Sequence, residues 1–396
     1  MKVLVCGAGV AGLTLAERLA ALGAEVVLLE RESGPRARGH VIDFYGAGYE
    51  AAEAIGVLPA IQGVAYPVGE ASVVDQHGRR KAAIPYRQIV KALDGRLCRV
   101  LRPDLETVLR DNLPPKVDLR FGATVSEVAQ CDERVTVTLN GGAQLDADLL
   151  VGADGIHSTV RALVFGPEER YLHHRGLRCA AFLLDPPSIG GVAGDHVILT
   201  DTVDRQLGLQ VLRDGRTAVS AVYRASDAKL PRDARTAFRD KYAGMGGWVT
   251  EVLDRCPESE EVDDNRVAQL ELPRWSSKRV VLIGDACFAV SMLIGQGASL
   301  AVASAYVLAE QLRNTSSVER ALSFYERLWR PVVEEKQASG RAASGWLWPA
   351  SSQSAIRRAT LRLTWRPLVN RFVETTLAGE PTAVIPMLRL GQPERD

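Results

Sequence analysis

Three features of the sequence predict an α/β fold with an inserted antiparallel sheet and a C-terminal helical tail. The first is a strand, Gly-rich turn, helix and second strand at the N-terminus, from Met1 to Arg31. The second is a pair of later apolar runs, Asp148–Val151 and Arg279–Ile283, each ending in a turn of glycine and aspartate. The third is a block of alternating strands between them, from about Gly176 to Leu272. The boundaries expected are 1–175 and 273–340 for a divided first domain, 176–272 for the inserted sheet domain and 341–396 for the tail.

Lys2–Cys6 is a short apolar run that reads as a buried parallel strand. Gly7-Ala8-Gly9-Val10-Ala11-Gly12 follows, then a helical pattern through Leu22 and a second apolar run, Ala24–Leu29, that ends on Glu30. This is a βαβ unit with a dinucleotide fingerprint, so the domain is Rossmann-like. Gly7 permits the tight turn, Gly9 lets backbone approach a pyrophosphate, and Gly12 lets helix and sheet pack closely. Ala11 lies in the same turn. The helix N-terminus offers free N–H groups to phosphates, and Glu30 can accept from ribose hydroxyls. The motif alone does not separate FAD from NAD.

Arg31–His40 is a polar loop containing Arg31, Arg36 and Arg38, and Val41–Phe44 reads as a strand. Gly46–Gly56 is a short helix. Ala71–Asp75 and Arg80–Ile84 flank a hairpin turn. Arg102–Asn112 is a helix with Pro103 in its first turn, where proline is tolerated. Val117–Phe121, Thr124–Ala129 and Arg134–Leu139 are strands, with a hairpin signal at Asn140-Gly141-Gly142. In the inserted block, Cys179–Leu184, His196–Thr200, Leu207–Leu212, Thr217–Tyr223 and Val267–Leu272 read as strands, and Arg235–Tyr242 and Gly247–Arg255 as helices. Two long helices, Ala298–Arg313 and Val318–Lys336, close the nucleotide-binding part.

Composition excludes several classes. Lys plus Arg and Asp plus Glu both number 48, which gives nucleic acid no basic footprint. No apolar run reaches membrane-spanning length, and the chain opens directly on a strand, so a cytoplasmic protein is expected. The 6 cysteines are scattered without a CxxC pair, and adjacent His173 and His174 in a strand point to opposite faces. Free thiols and no metal site are expected.

Two further motifs carry chemistry. Gly152-Ala153-Asp154-Gly155, with Ser158 and Arg161, places an acid at a strand end before a helix. Gly284-Asp285-Ala286 does the same after Arg279–Ile283, and Gly295-Gln296-Gly297-Ala298-Ser299 opens the next helix. Asp285 can bind several hydroxyls of a sugar alcohol, and backbone N–H groups near Gly297 can stabilise developing negative charge.

The three motifs, in this order and spacing, resemble the FAD-dependent aromatic hydroxylases of the p-hydroxybenzoate hydroxylase type, the class A flavoprotein monooxygenases. The resemblance covers nearly the whole chain. It is nearest to the compact branch that includes tetracycline-inactivating monooxygenases and actinobacterial natural-product hydroxylases. It implies a GR2-type FAD-binding domain with the inserted sheet over the substrate. Arg102-Pro103-Asp104-Leu105 resembles the family element whose arginine touches FAD, and Arg38 stands where a cofactor-contacting arginine is often found. The cofactor-binding residues implied are Gly7, Gly9, Ala11, Gly12, Glu30, Arg31, Arg38, Arg102, Asp154, Asp285, Gly295, Gly297, Ala298 and Ser299.

The activity implied is FAD-dependent monooxygenation with NADPH or NADH and O2, through a flavin C4a-hydroperoxide. It would hydroxylate, epoxidise or insert oxygen into an apolar aromatic, polycyclic or polyene small molecule, in natural-product metabolism or antibiotic modification. No acid or base is nominated, because the flavin carries the chemistry. The chain departs from the family pattern at Cys287-Phe288, Met292 and Ser299. Phe288, Val290, Met292 and Leu293 suggest an apolar pocket wall, and Gln210 and Tyr223 are polar candidates on the inserted sheet. A flavin-dependent reductase of the geranylgeranyl-reductase kind and a non-catalytic flavoprotein ligand binder are the competing readings. The basic helical stretch Ile356–Val373 reads as a solvated helix bridging domains in preference to a membrane-surface helix. A monomer or weak homodimer is expected.

Overall fold

The structure is a computed structural model. It describes residues 1–36, 39–67, 69–75, 77–84, 86–185, 196–200, 202, 204–225, 233–290, 295–347 and 382–390. Arg38, Met292, Leu293 and the stretch Ile356–Val373 lie outside the described residues.

The N-terminal βαβ unit is β1 (Lys2–Cys6), α1 (Val10–Ala21) and β2 (Glu25–Leu29). Next come β3 (Val41–Tyr45), α2 (Ala47–Ile55), α3 (Leu58–Val64), β4 (Glu70–Val74), β5 (Arg80–Ile84), α4 (Tyr86–Ala92) and β6 (Leu97–Leu101). α5 (Arg102–Asp111) and β7 (Asp118–Arg120) precede a three-stranded antiparallel sheet of β8 (Val125–Gln130), β9 (Val135–Leu139) and β10 (Gln144–Ala147). β11 (Leu149–Gly152) and α6 (Thr159–Val164) return to the first layer. The inserted region holds β12 (Leu172–Leu184), β13 (His196–Thr200), β14 (Arg205–Val211), β15 (Thr217–Arg224), α7 (Ala234–Tyr242), α8 (Trp248–Asp254) and β16 (Asp263–Leu270). The chain closes with β17 (Ser276–Ser277), β18 (Val280–Leu282), α9 (Asp285–Phe288), α10 (Gly297–Asn314), α11 (Val318–Leu347) and α12 (Val384–Leu390).

The central sheet has the order β17-β18-β11-β1-β2-β7 and is parallel from β18 to β7. Its inner strands are buried on both faces, as a parallel sheet covered by helices requires, and so read as continuous apolar runs. α1 and α10 pack on one face. Between them Arg18 donates to Glu310 from Nε at 2.9 Å and Nη2 at 2.5 Å, with both side chains buried.

The seven-stranded sheet, of order β16-β12-β15-β14-β13-β4-β5, crosses the expected boundary at 176. β12 begins at Leu172, and β4 and β5 come from residues 70–84, with β4 pairing parallel to β13 from Glu70 opposite His196. The hairpin expected at 71–84 therefore forms but serves another sheet, covering the edge that β13 would otherwise leave unpaired. One face of this sheet is sealed by α7 and α8, with Phe182 edge-on to Phe238 at 5.1 Å. Strand alternation turns Gln210 to the opposite face, toward β3 and β6.

Candidate active site

A cleft runs between the ends of the central strands, the β3–β6 pair and β16. It consists of two adjoining cavities of about 210 and 300 Å³, which share Gly9, Arg102, Ala153, His157, Asn265 and Asp285. One end is polar, lined by Gly7, Glu30, Arg31, Arg36 and Asp154. The other is mostly apolar, with Val41, Ile42, Leu172, Ala268, Val290 and Ala301 in its wall and Asp43 among them.

The three fingerprint glycines do different work. Gly7 has φ +103°, and a Cβ there would meet the Ala153 carbonyl oxygen at 2.4 Å, because the ends of β1 and β11 touch. A Cβ on Gly12 would fall 1.8 Å from the Gly7 oxygen. At Gly9 the nearest atom to a Cβ is Oε1 of Glu106 at 3.9 Å, and the open side is the cleft. Glu30 braces this turn: its Oε2 accepts from the Ala8 N–H at 2.8 Å and its Oε1 from the Glu32 N–H at 3.0 Å.

Arg102 stands at the junction of the two cavities. Its N–H donates to the His40 carbonyl at 3.0 Å, and its Nε donates to Glu106 Oε1 at 3.0 Å. Gly39 permits this contact, since a Cβ there would lie 2.7 Å from Pro103. Asp285 opens onto both cavities, its side chain exposed within the cleft while the residues flanking it are buried. Burial raises its carboxyl above the usual range, opposed by the charges of Arg102 and His40. Across the cleft, burial would likewise raise Asp263, but His40, Asn265 and Arg102 hold it low; the His40 Nδ1 is 3.9 Å away.

Asp154 is internally engaged. Its Oδ1 accepts from Ser158 Oγ at 2.5 Å and its Oδ2 from the Val160 N–H at 3.1 Å, while burial raises its carboxyl. Ser158 caps α6 by accepting from the Arg161 N–H at 2.9 Å. Arg161, fully buried, donates to the Ala286 carbonyl at 3.0 Å and to Glu168 at 2.9 Å. The second and third motifs are thus joined by one guanidinium. The cleft mouth carries His157, His174 and Arg266, with Arg266 Nη1 3.2 Å from His174 Nε2. Burial and then the Arg266 charge keep the His174 imidazole below its ordinary pKa.

Ala11, Gly295, Gly297 and Ala298 line the apolar cavity. α10 starts there, and its first-turn N–H groups have no intrahelical acceptor. Ser299 lies elsewhere: its buried Oγ accepts from the Tyr45 N–H at 3.2 Å, packed under α2 where Gly48 leaves room. Phe288 turns into the core against Trp275, with rings 5.1 Å apart, and its successors Ala289 and Val290 reach the cleft instead. Tyr223 points to the helix-covered face, 6.1 Å from Tyr242, because strand alternation turns it away from the cleft. Gln210 stands one layer behind the cavity, accepting from Arg99 Nε at 2.8 Å. His40, Asp43, Asp263, Asn265 and Arg266 were not singled out from the sequence. Asp263–Arg266 carries no apolar alternation, so the sequence marks the strand only from Val267, where burial becomes continuous.

The model of the FAD binding domain family matches residues 1–336. The chain is 32% identical over 336 residues to an uncharacterized protein of Mycobacterium tuberculosis, covering 78% of this chain and 84% of that one. It is 30% identical over 352 residues to a flavin-dependent monooxygenase of an unknown prokaryotic organism, covering 86% and 88%. Among solved structures, the tetracycline destructase Tet(51) superposes with a TM-score of 0.78 at 25% identity, over 93% of this chain and 97% of that one. Klebsiella pneumoniae HpxO complexed with FAD and uric acid gives 0.79 at 23% identity, over 96% and 97%.

Proposed function

Because this chain belongs to the FAD binding domain family of flavin-dependent monooxygenases, we propose that it uses NAD(P)H and dioxygen to place one oxygen atom on an apolar, electron-rich small molecule. The carrying observation is the single cleft with a polar and an apolar end, met by all three motifs at its middle. The residues fit the cofactor. Gly9 presents bare backbone to the cleft, the first turn of α1 faces it, and the Asp285 carboxylate is exposed to it without a protein hydrogen-bond donor among the described residues.

In this reading Glu30 and Arg31 face the adenosine end, and the loop from Gly7 to Gly12 meets the pyrophosphate. Arg102 and Asp285 hold the polyol chain, and Gly295, Gly297 and Ala298 meet the ring edge. Asp154 and Gly12 act behind these, keeping the turns in shape. FAD, when bound, supplies the passage of electrons from reduced nicotinamide to dioxygen. The protein's part is to orient the ring, exclude water at the apolar end and admit the nicotinamide at the mouth. Arg266, with His157 and His174 beside it, supports that last role. The inserted region 176–272, with β4 and β5, is the substrate-facing unit. The apolar wall supports an aromatic or polycyclic substrate of the kind found in natural-product or antibiotic modification.

The test uses the FAD-loaded protein. Expected are NAD(P)H-dependent oxygen uptake, a transient flavin absorbance species when the anaerobically reduced protein meets O2, and one atom of isotope-labelled O2 in a product. Reoxidation by O2 no faster than that of free flavin, with electrons passed to another acceptor, would replace the reading with a flavin-linked reductase.

A further inference from the structure

A polar cluster stands behind the apolar end of the cleft. Asp43, on β3, is a second carboxylate lining this cavity besides Asp285, and its side chain is 31% exposed. Three side chains converge on it from behind. Tyr86, at the start of α4, donates its O–H to Oδ1. Arg99, on β6, places Nη1 3.2 Å from Oδ1 and 3.3 Å from Oδ2, with its guanidinium 5.5 Å from the centre of the Tyr86 ring. Gln210, on β14, accepts from Arg99 Nε at 2.8 Å and so fixes the fork. Elements from two sheets and a helix therefore aim one acceptor at the cavity.

An ionised carboxylate only accepts, and it has about four lone-pair positions. Here Oδ1 is well engaged, whereas Oδ2 receives one long contact and keeps accepting capacity. Among apolar neighbours, a substrate O–H would be satisfied by it. A substrate carboxylate or phenolate would find no donor on Asp43 and would be repelled by its charge. Tyr86 is the protein's own phenol on this carboxylate: burial and the Asp43 charge push its hydroxyl far above the ordinary phenol range, despite the opposing Arg99. A phenol docked on Asp43 would meet the same negative charge, which disfavours its ionised form.

We propose that Asp43 anchors the hydroxyl of a neutral, apolar ring substrate and rejects anionic ones, with Arg99, Tyr86 and Gln210 as positioning residues. The inference rests on the oxygen-transfer reading for the identity of the cleft. It is tested with two matched probes, 2-naphthol and 2-naphthoate, binding to the FAD-loaded full chain. Expected is a preference for 2-naphthol of about tenfold or more, equivalent to ~1.4 kcal/mol. The bound probe should keep the absorbance of the protonated form at a pH where half of the free probe is ionised. Asp43→Asn should bring the preference close to unity and allow the ionised spectrum. Asp43→Glu should retain both properties and guards against a folding artefact. Gln210→Leu should reduce the preference by a smaller factor, with the melting temperature as control. Equal binding of the probes, tighter binding of 2-naphthoate, no binding of either, or an unchanged preference in Asp43→Asn overturns the assignment. Oxygen reactivity measured on the same samples separates the two readings. Lost preference with intact oxygen chemistry removes the Asp43 anchor alone, and the converse removes the monooxygenase reading alone.

Discussion

At the scale of single residues, the fingerprint glycines separate stability from binding. Gly12 has no room for a methyl group, because the blocking atom is the Gly7 backbone oxygen and no rotamer change can relieve it. Gly12→Ala should destabilise the apoprotein by about 1–3 kcal/mol, read from urea unfolding. Gly9→Ala meets nothing closer than 3.9 Å and should leave the urea midpoint within error. Its added methyl intrudes on the cleft, so FAD affinity should fall about tenfold or more in a fluorescence titration. If both variants lose stability alike, the division between packing and binding glycines is wrong. Asp285 follows similar logic. Its carboxylate faces the open cleft and has no hydrogen-bonded protein partner among the described residues, so the fold gains little from it. Asp285→Asn should therefore leave the apoprotein as stable as wild type or more so while weakening FAD binding. A lower apoprotein melting temperature would show that the carboxylate supports the fold and does not serve the ligand.

At the scale of elements, the buried Arg18–Glu310 pair fastens α1 to α10, the two helices whose N-termini face the cleft. Glu310 also receives Arg313 at 2.8 Å, and Arg18 lies over the Tyr306 ring at 5.7 Å. Removing one partner strands a charge in the core, so Glu310→Met should cost about 3–5 kcal/mol. The double variant Arg18→Met/Glu310→Met should recover most of that loss, since apolar side chains of similar length fill the space. Urea unfolding of the three proteins decides it; a double variant no better than Glu310→Met would mean that the pair is net stabilising. This contact also marks the limit of the sequence reading. α1 and α10 were legible because their apolar periodicity and glycine starts are local signals. Their pairing joins residues 292 positions apart, which no local pattern reports. The same holds for β4 and β5: the hairpin was legible from its turn, but its attachment to β13 depends on an edge formed far along the chain. α3 (Leu58–Val64) is too short to show a period and was missed.

At the scale of the whole molecule, the cleft is where separately built layers meet. Its walls come from the turn after β1, the β3 strand, the start of β16 and the first turn of α10, which belong to three sheets and a helix layer. The motifs were legible because each sits in one short stretch. The residues that face them from other layers, His40, Asp43, Asn265 and Arg266, were not, because only the folded topology brings them opposite. A cofactor filling this cleft touches every layer at once and binds only the assembled form. Its effect on stability should therefore grow as RT ln(1 + [L]/Kd), reaching about 2.7 kcal/mol at a free FAD concentration of 100 Kd. Hydrogen exchange on the apoprotein and the FAD-loaded protein should localise that gain. Protection should rise at the turn after β1, as in any nucleotide-binding fold, and also in Val41–Asp43 and Asp263–Ala268, which belong to other sheets. Protection confined to the central sheet would mean that the layers open independently of the ligand, and that the apolar end is shaped by the substrate without help from the cofactor.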